Sequence, residues 1–479
     1  GEAQRMKESR RGLLALIISL GILCLPAAPG PASANEKGAA QRLEKLRGNP
    51  EKLRTFLRKM PKGTDLHTHL SGAVYAESMV LWGAQDGKCV DTTTFVSTFP
   101  PCLAGQVPLA DALSNGTLYG QIIAAWSMRN FTPGPQQSSH DHFFATFDLF
   151  GSAFSGRQGY GLAEITQRAA DQNEQYVEPL VTPQFGATST VANSVPYTSD
   201  FPALRQDLID AGLFNAIPAA SLTASTALST QRTVLGCDGP DPQTGCEVLV
   251  GFDVQVLRNT QPVVAFAQLL FGYELMSRDP NWVGMNMVQP EEGPLSLRDY
   301  TLQMQMIRYL KTLYPDGNLS LHAGELVPGL APPGDLRFHI RQAVNIAGAD
   351  RIGHGADLRW ENNPQDILES MKDKGTCIEI NLTSNRQTLG LEGKRHPISN
   401  FVSAGVKTTL STDDEGVERT DLTSQYSQAV RQHGYGYKRL KKFARTGLQC
   451  SFLPAATRKA ALADQAQLFR EFEANYPAK

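Results

Sequence analysis

Two histidines one residue apart, His67 and His69 in Thr64-Asp65-Leu66-His67-Thr68-His69-Leu70, are the first residues of this chain that could do chemistry. Alternate residues of a strand point to the same face, so a strand ending His-x-His offers two imidazoles at a bite suited to one metal ion. Met60-Pro61-Lys62-Gly63 ahead of them reads as the turn that feeds the strand. The pair alone is a weak signal, but three further β-favouring runs end in the same way. His322 closes Asn318-Leu319-Ser320-Leu321-His322 and is followed by Ala323-Gly324-Glu325. His354 closes Arg351-Ile352-Gly353-His354 ahead of Gly355, and the run Val406 to Thr412 leads into Asp413-Asp414.

Three neutral imidazoles and one carboxylate suit Zn²⁺, a borderline-soft ion that takes nitrogen and oxygen ligands. His67, His69, His322 and Asp413 are the expected ligands of a single zinc ion, with a further position open to water. Bound to zinc, water ionises near neutrality, at a pKa of about 7. His354, flanked by Gly353 and Gly355, is left over and could orient that water and accept its proton. Glu325, on the loop leaving the same strand as His322, could act as a general acid if an enclosed site raises its pKa. Asp414 either hydrogen-bonds a substrate or caps a following helix. The run Trp282 to Val288 holds no lysine of the kind that bridges two metals in related hydrolases, which favours one metal.

Helical stretches such as Leu336 to Ala347 and Pro364 to Lys374 separate these runs. Repeated strand-then-helix units imply a parallel sheet, and chemistry at the C-terminal ends of several strands is the arrangement of an α/β (β/α)8 TIM barrel. The expected strands are Thr64–Leu70, Tyr176–Pro179, Phe214–Ala219, Trp282–Met287, Asn318–His322, Arg351–His354, Cys377–Asn381 and Lys407–Thr412. The third carries a proline, Pro218, inside it.

Taken in order, Asp65 to Ala73, His322-Ala323-Gly324-Glu325, Arg351 to Gly355 and Ser411-Thr412-Asp413-Asp414 resemble the adenosine deaminase family. Tyr176-Val177-Glu178, Thr383-Ser384-Asn385 with His396-Pro397, and the stretch Phe443 to Pro454 are similar to it as well, so the resemblance runs with interruptions from Met60 to Pro454. It implies zinc-dependent hydrolytic deamination of adenosine or deoxyadenosine to inosine or deoxyinosine plus ammonia. Metal-activated water would attack C6 of the purine. Glu325 would protonate N1, His354 would serve as base and electrostatic partner of the attacking oxygen, and Asp414 would hydrogen-bond N7. Two positions depart from the pattern. Where the family has an acid that touches the ribose this chain has Ser71, and the loop expected to contact the purine reads Val288-Gln289-Pro290-Glu291. Ser71 and Gln289 are therefore the candidate substrate contacts that keep adenine or another aminopurine open as substrate. A nucleoside-binding or signalling protein outside the cell, without turnover, is the reading from another class. The other zinc deaminase pattern, H-x-E with P-C-x-x-C, does not occur.

Residues 1–34 read as a signal peptide: Lys7, Arg10 and Arg11 precede an apolar run from Leu13 to Leu25, and Ala32-Ser33-Ala34 offers a cleavage site. Ser9-Arg10-Arg11-Gly12-Leu13-Leu14 is similar to a twin-arginine signal. A periplasmic or secreted protein with no membrane segment after cleavage is expected. Of the seven cysteines, Cys24 lies in the leader. Cys89 with Cys102 and Cys237 with Cys246 flank short polar loops and read as local disulfides. Cys377 reads as a buried free thiol, and Cys450 is unassigned. The rest of the chain, 35–479, is much longer than the roughly 250 residues of one barrel, so a single barrel domain with insertions near 86–140 and 185–259 and extra C-terminal helices is expected, the insertions shaping or covering the pocket. With 45 basic and 47 acidic residues the chain has no charge excess for a nucleic-acid groove, and Lys438-Arg439-Leu440-Lys441-Lys442 reads as a solvated helix face. The expected partner is a small purine nucleoside. Oligomeric state is left open.

Overall fold

Gly63 to His69 form the first strand of a closed parallel barrel in the computed structural model, which describes residues 34–478. The barrel strands are β1 (Gly63–His69), β2 (Glu174–Val181), β3 (Phe252–Leu257), β4 (Trp282–Val288), β5 (Ser320–Ala323), β6 (Arg351–His354), β7 (Cys377–Ile380) and β8 (Lys407–Leu410). β1 to β4 pair in chain order, and so do β5 to β8, every pair parallel. Parallel bridges at Thr68 with Asp413 and at Met285 with Leu319 join the two sets into a ring. At the first seam the His69 N–H donates to the Asp413 carbonyl at 3.0 Å and the Asp413 N–H to the His67 carbonyl at 2.9 Å. The backbone closure of the barrel thus places the expected metal ligands side by side. This is the α/β barrel expected from the sequence.

The third strand differs from the expectation. Residues 214–219 form a short 3-10 turn running into the helix Ile217–Val234, with Pro218 in its first turn. A proline there loses no hydrogen bond and its fixed φ suits the helix. The strand is Phe252–Leu257, inside the stretch 185–259 expected to be a single insertion. Buried Val254 packs against the outer helix Pro262–Arg278 at Gly272, while the alternate residues Asp253 and Gln255 meet polar groups of the barrel interior.

The stretch 86–140 contains a small antiparallel sheet of Cys89–Asp91, Ser97–Thr98 and Gln106–Pro108, tied by the Cys89–Cys102 disulfide. Between β2 and β3, the helix Ile217–Val234 packs on the outer helix Gln158–Ala170 and the Cys237–Cys246 disulfide closes the following loop. Cys377 is not a free thiol: it is bonded to Cys450, 73 residues on. The helix Tyr437–Cys450 runs back across β8 and β1 and ends against the first residue of β7. That contact is tertiary and leaves no trace in local sequence.

The barrel interior carries a buried cation. Arg351 is 1% exposed, and its guanidinium pairs with Glu178 from β2, Asp253 from β3 and Glu379 from β7, while the Phe452 ring lies 3.5 Å from it. A buried charge is tolerated only when paired and hydrogen-bonded, and three strands supply the partners. The expected leader, 1–34, lies outside the described residues but for Ala34. Among the described residues no helix is long and apolar enough to cross a membrane.

Candidate metal and catalytic site

At the C-terminal mouth of the barrel His67 and His69 of β1, His322 of β5 and Asp413, just beyond β8, bring four ligand atoms within 4.8 Å of one another. Each imidazole has a dedicated partner on its far nitrogen. His67 Nδ1 meets Glu379 Oε2 at 2.8 Å, His69 Nδ1 meets Gln255 Oε1 at 2.7 Å, and His322 Nδ1 meets Asn286 Oδ1 at 2.9 Å. The Asn286 amide is oriented by a second contact, and the Gln255 amide is placed with its oxygen toward His69. Asn286 Oδ1 also accepts the His322 backbone N–H at 2.9 Å, and Gln255 Nε2 donates to Thr182 Oγ1 at 3.0 Å. All three Nδ1 atoms therefore donate, which leaves a lone pair on each Nε2. Such outer partners fix tautomer and ring orientation in metal sites.

The Nε2 lone pairs converge. His67 Nε2 and His322 Nε2 lie 3.0 Å apart, and Asp413 Oδ1 is 3.4 Å from His67 Nε2 and 3.1 Å from His69 Nε2. Asp413 Oδ1 is buried without a hydrogen-bond donor. Lone pairs packed together in a dry site repel unless a cation sits between them. Burial alone would push the His67 imidazole down, yet the carboxylates of Asp413 and Glu379 outweigh it and lift it to about 10. A cluster that attracts a proton so strongly attracts a divalent metal for the same reason, and the donor set fits one.

Glu325 follows β5 and is buried. Its backbone N–H and that of Gly324 donate to the Glu291 carboxylate at 2.7 and 2.9 Å, and Glu291 in turn pairs with His339. Burial raises the Glu325 pKa well above the carboxylate range, and Asp413, Glu291 and Glu292 add to the shift. His354 ends β6 with Nε2 3.6 Å from Asp413 Oδ2 and Nδ1 3.7 Å from Glu325 Oε1. His354, Asp413 and Gln289 all have positive φ, of 69, 72 and 80°. Left-handed backbone at non-glycine residues costs energy and gathers at functional sites.

Asp414 occupies the N-cap position of the helix Glu415–Glu418, but its side chain caps nothing. Its Oδ1 is buried and unpartnered, and a Cβ on Gly72 would lie 1.6 Å from that atom, so the close approach requires glycine. A cavity of about 430 Å³ opens above the cluster. Its base is His69, Gln255, His322, Glu325, Asp413 and Asp414; one wall is Phe143, Phe144, Phe147 and Asp148, the other Leu257, Val288, Gln289 and Pro290. Gln289 thus lines the cavity, though its Oε1 already accepts the Asn259 N–H at 2.8 Å. Ser71, half-buried on the helix Leu70–Ala73, does not line it. The phenylalanine wall belongs to the helix Ser139–Thr146 and the turn after it, at the end of the first insertion. Residues 185–251 contribute no lining.

Sequence reasoning alone does not reach the outer partners Gln255, Asn286, Glu379 and Glu291 or the aromatic wall. Glu379 carries a signal, a charge inside the apolar run Cys377-Ile378-Glu379-Ile380. Gln255 carries one too, in the alternation of Phe252 to Leu257, once that run is taken as a strand.

A (β/α)8 barrel that gathers three imidazoles and a carboxylate at its C-terminal mouth carries a candidate metal site in the place where such barrels do their chemistry. Residues 273–467 match the family described as adenosine deaminase. Adenosine deaminases of Escherichia coli strain SMS-3-5 and of Aliivibrio fischeri strain MJ11 are 32% and 35% identical over 146 residues, 30% of this chain and 40% of each relative. Residues 273–467 are thus similar to the adenosine deaminase family. The match spans less than half the length of these curated relatives. Solved structures share the fold: an amidohydrolase from Burkhoderia ambifaria with bound Zn (TM-score 0.54, 16% identity, 89% of this chain and 95% of that one), an N6-mAMP deaminase from Arabidopsis (0.56, 18%, 86% and 99%) and an adenine deaminase from Arthrobacter aurescens (0.54, 14%, 86% and 99%).

Proposed function

We propose that this protein is a zinc-dependent hydrolase that deaminates adenosine or deoxyadenosine to inosine or deoxyinosine and releases ammonia. The observation that carries the reading is the convergence of three Nε2 lone pairs and the unpartnered Asp413 oxygen, each imidazole held from behind. His67, His69, His322 and Asp413 would hold the ion, which when bound acts as a Lewis acid and makes water a nucleophile near neutral pH. Glu325, enclosed between the cluster and Glu291, delivers a proton to purine N1 and makes C6 more electrophilic. His354, facing Asp413, contacts the water that adds to C6. Asp414 lines the cavity with an unpartnered Oδ1; burial raises its pKa well above the carboxylate range, and as the carboxylic acid it donates to N7. The Phe143, Phe144 and Phe147 wall excludes solvent and offers an aromatic face to the base.

Charge narrows the substrate. Among the described residues the ionisable side chains lining the cavity, apart from the histidines, are Asp148, Glu325, Asp413 and Asp414, with no lysine or arginine. A 5′-phosphate would face carboxylates, so an uncharged nucleoside is favoured over a nucleotide. Adenine or another aminopurine is the second reading, because Ser71 offers the sugar no carboxylate and stands away from the cavity. The leader-like residues 1–34 support a periplasmic or secreted location, which fractionation of the native host would test. The decisive experiment incubates zinc-loaded protein with adenosine, deoxyadenosine, adenine and AMP and follows ammonia release. Rapid turnover of the nucleosides is expected. Absence of turnover on every aminopurine would overturn the reading and leave nucleoside binding without catalysis.

A further inference from the structure

The motif Thr383-Ser384-Asn385 with His396-Pro397 has no part in the site as described so far, yet it reaches His354 through a chain of buried hydrogen bonds whose directions can be read off. The backbone N–H of Ile398 donates to His396 Nδ1 at 3.1 Å. A backbone amide only donates, so His396 Nδ1 carries the lone pair and Nε2 carries the proton. His396 Nε2 is 2.9 Å from Asn385 Oδ1 and donates to it. The amide of Asn385 is thereby oriented, because the opposite orientation would set two donors against each other. Asn385 Nδ2 lies 2.9 Å from His354 Nδ1 and donates to it. All three side chains are buried, His354 and Asn385 at 0% exposure and His396 at 1%. Burial, with His433, His354 and Arg359 adding to it, lowers His396 to about 3, which keeps it neutral and consistent with the chain.

We infer that Asn385 and His396 are positioning residues that hold His354 as the Nε2–H tautomer, so that it presents a hydrogen-bond donor, not a base, to the attacking oxygen. Nε2 is the atom that faces Asp413 Oδ2 at 3.6 Å and the mouth of the barrel. In this tautomer it has no lone pair to receive a proton from water. The relay also disfavours an imidazolium, whose Nδ1–H would meet the Asn385 N–H. Asn381 Nδ2 lies 3.4 Å from Nε2, a longer contact than the 2.9 Å to Asn385, and since a neutral imidazole has one lone pair the shorter contact, anchored through His396, sets the tautomer. His354 then stabilises negative charge as it builds on the oxygen adding to C6: of the two roles expected from the sequence, base and electrostatic partner, the tautomer keeps the second. The catalytic consequence rests on the deaminase reading. The tautomer does not.

The test uses zinc-loaded protein with 15N-labelled histidine, the His354 resonances assigned by their loss in His354→Asn. A proton coupled to Nε2 and a proton-free Nδ1 are expected. A proton on Nδ1 would overturn the inference whatever the enzyme turns over. Asn385→Asp replaces the donor with an acceptor and should move the proton to Nδ1. It should also lower kcat about 10- to 100-fold, with KM within about threefold and zinc content unchanged. Asn385→Ser keeps a hydroxyl that can donate and should recover part of the loss. Full kcat in Asn385→Asp with the proton moved would overturn the role in catalysis. Should Asn385→Asp not fold, the wild-type spectrum alone decides the tautomer, and a failure to deaminate any aminopurine leaves that spectrum unaffected.

Discussion

Strands β1 to β4 run six to eight residues, with long connections after β1 and β2, whereas β5 to β8 run four residues each and follow one another as closely as β4 follows β3. The compact half supplies His322, Glu325, His354 and Asp413, and it falls within the segment that matches the adenosine deaminase family. The extended half supplies His67 and His69 together with the phenylalanine wall, which the chain reaches only after a disulfide-tied sheet. Chemistry and enclosure are thus divided. Short strands ending in polar residues fix the reacting groups, and long connections on the catalytic face shape what they act upon.

Perturbing the compact half should cost most. His322→Ala removes a ligand and leaves facing lone pairs without their partner. Zinc by elemental analysis should fall well below one ion per chain and activity by more than about a thousandfold, and retention of both would break the division proposed. Glu325→Gln keeps the shape and removes the acid. Here kcat should fall by about 10²- to 10⁴-fold with zinc retained, and a change confined to KM would point to binding instead. Gln255→Ala, from the extended half, frees His69 Nδ1 and should weaken zinc affinity about 10- to 100-fold in a chelator competition. Phe144→Ala opens the aromatic wall. KM for adenosine should rise about tenfold at nearly constant kcat, and a larger fall in kcat than rise in KM would mean that the wall also acts in the transition state. Replacing Cys377 and Cys450 together by serine should leave kcat unchanged while lowering stability by about 4 kcal/mol in denaturant unfolding, as expected for releasing so long a loop. A change in kcat there would connect the barrel's floor to its mouth.

Much of the compact half is legible in the sequence. A four-residue β-favouring run ending in histidine or aspartate is a local pattern, and several of them in order imply both the barrel and its reactive end. The extended half is less transparent. Phe214 to Ala219 is apolar enough for a strand, but Pro218 starts a helix there at no cost. The true strand, Phe252 to Leu257, alternates with Asp253 and Gln255 because the barrel interior is polar at that depth, where Arg351 and His69 need partners. Cys377 resembles a lone buried thiol because its partner lies on a helix that folds back from the end of the chain.

By itself the sequence determined the kinds of ligand, their order and the ends of the strands that bear them, since these depend on local periodicity and residue chemistry. Only the tertiary structure decided which atom of each histidine faces the centre. That choice is made by Glu379, Gln255, Asn286 and Asn385, which come from other strands and loops, and a tautomer is set by whatever hydrogen bond lies behind the ring, which no spacing along a chain records.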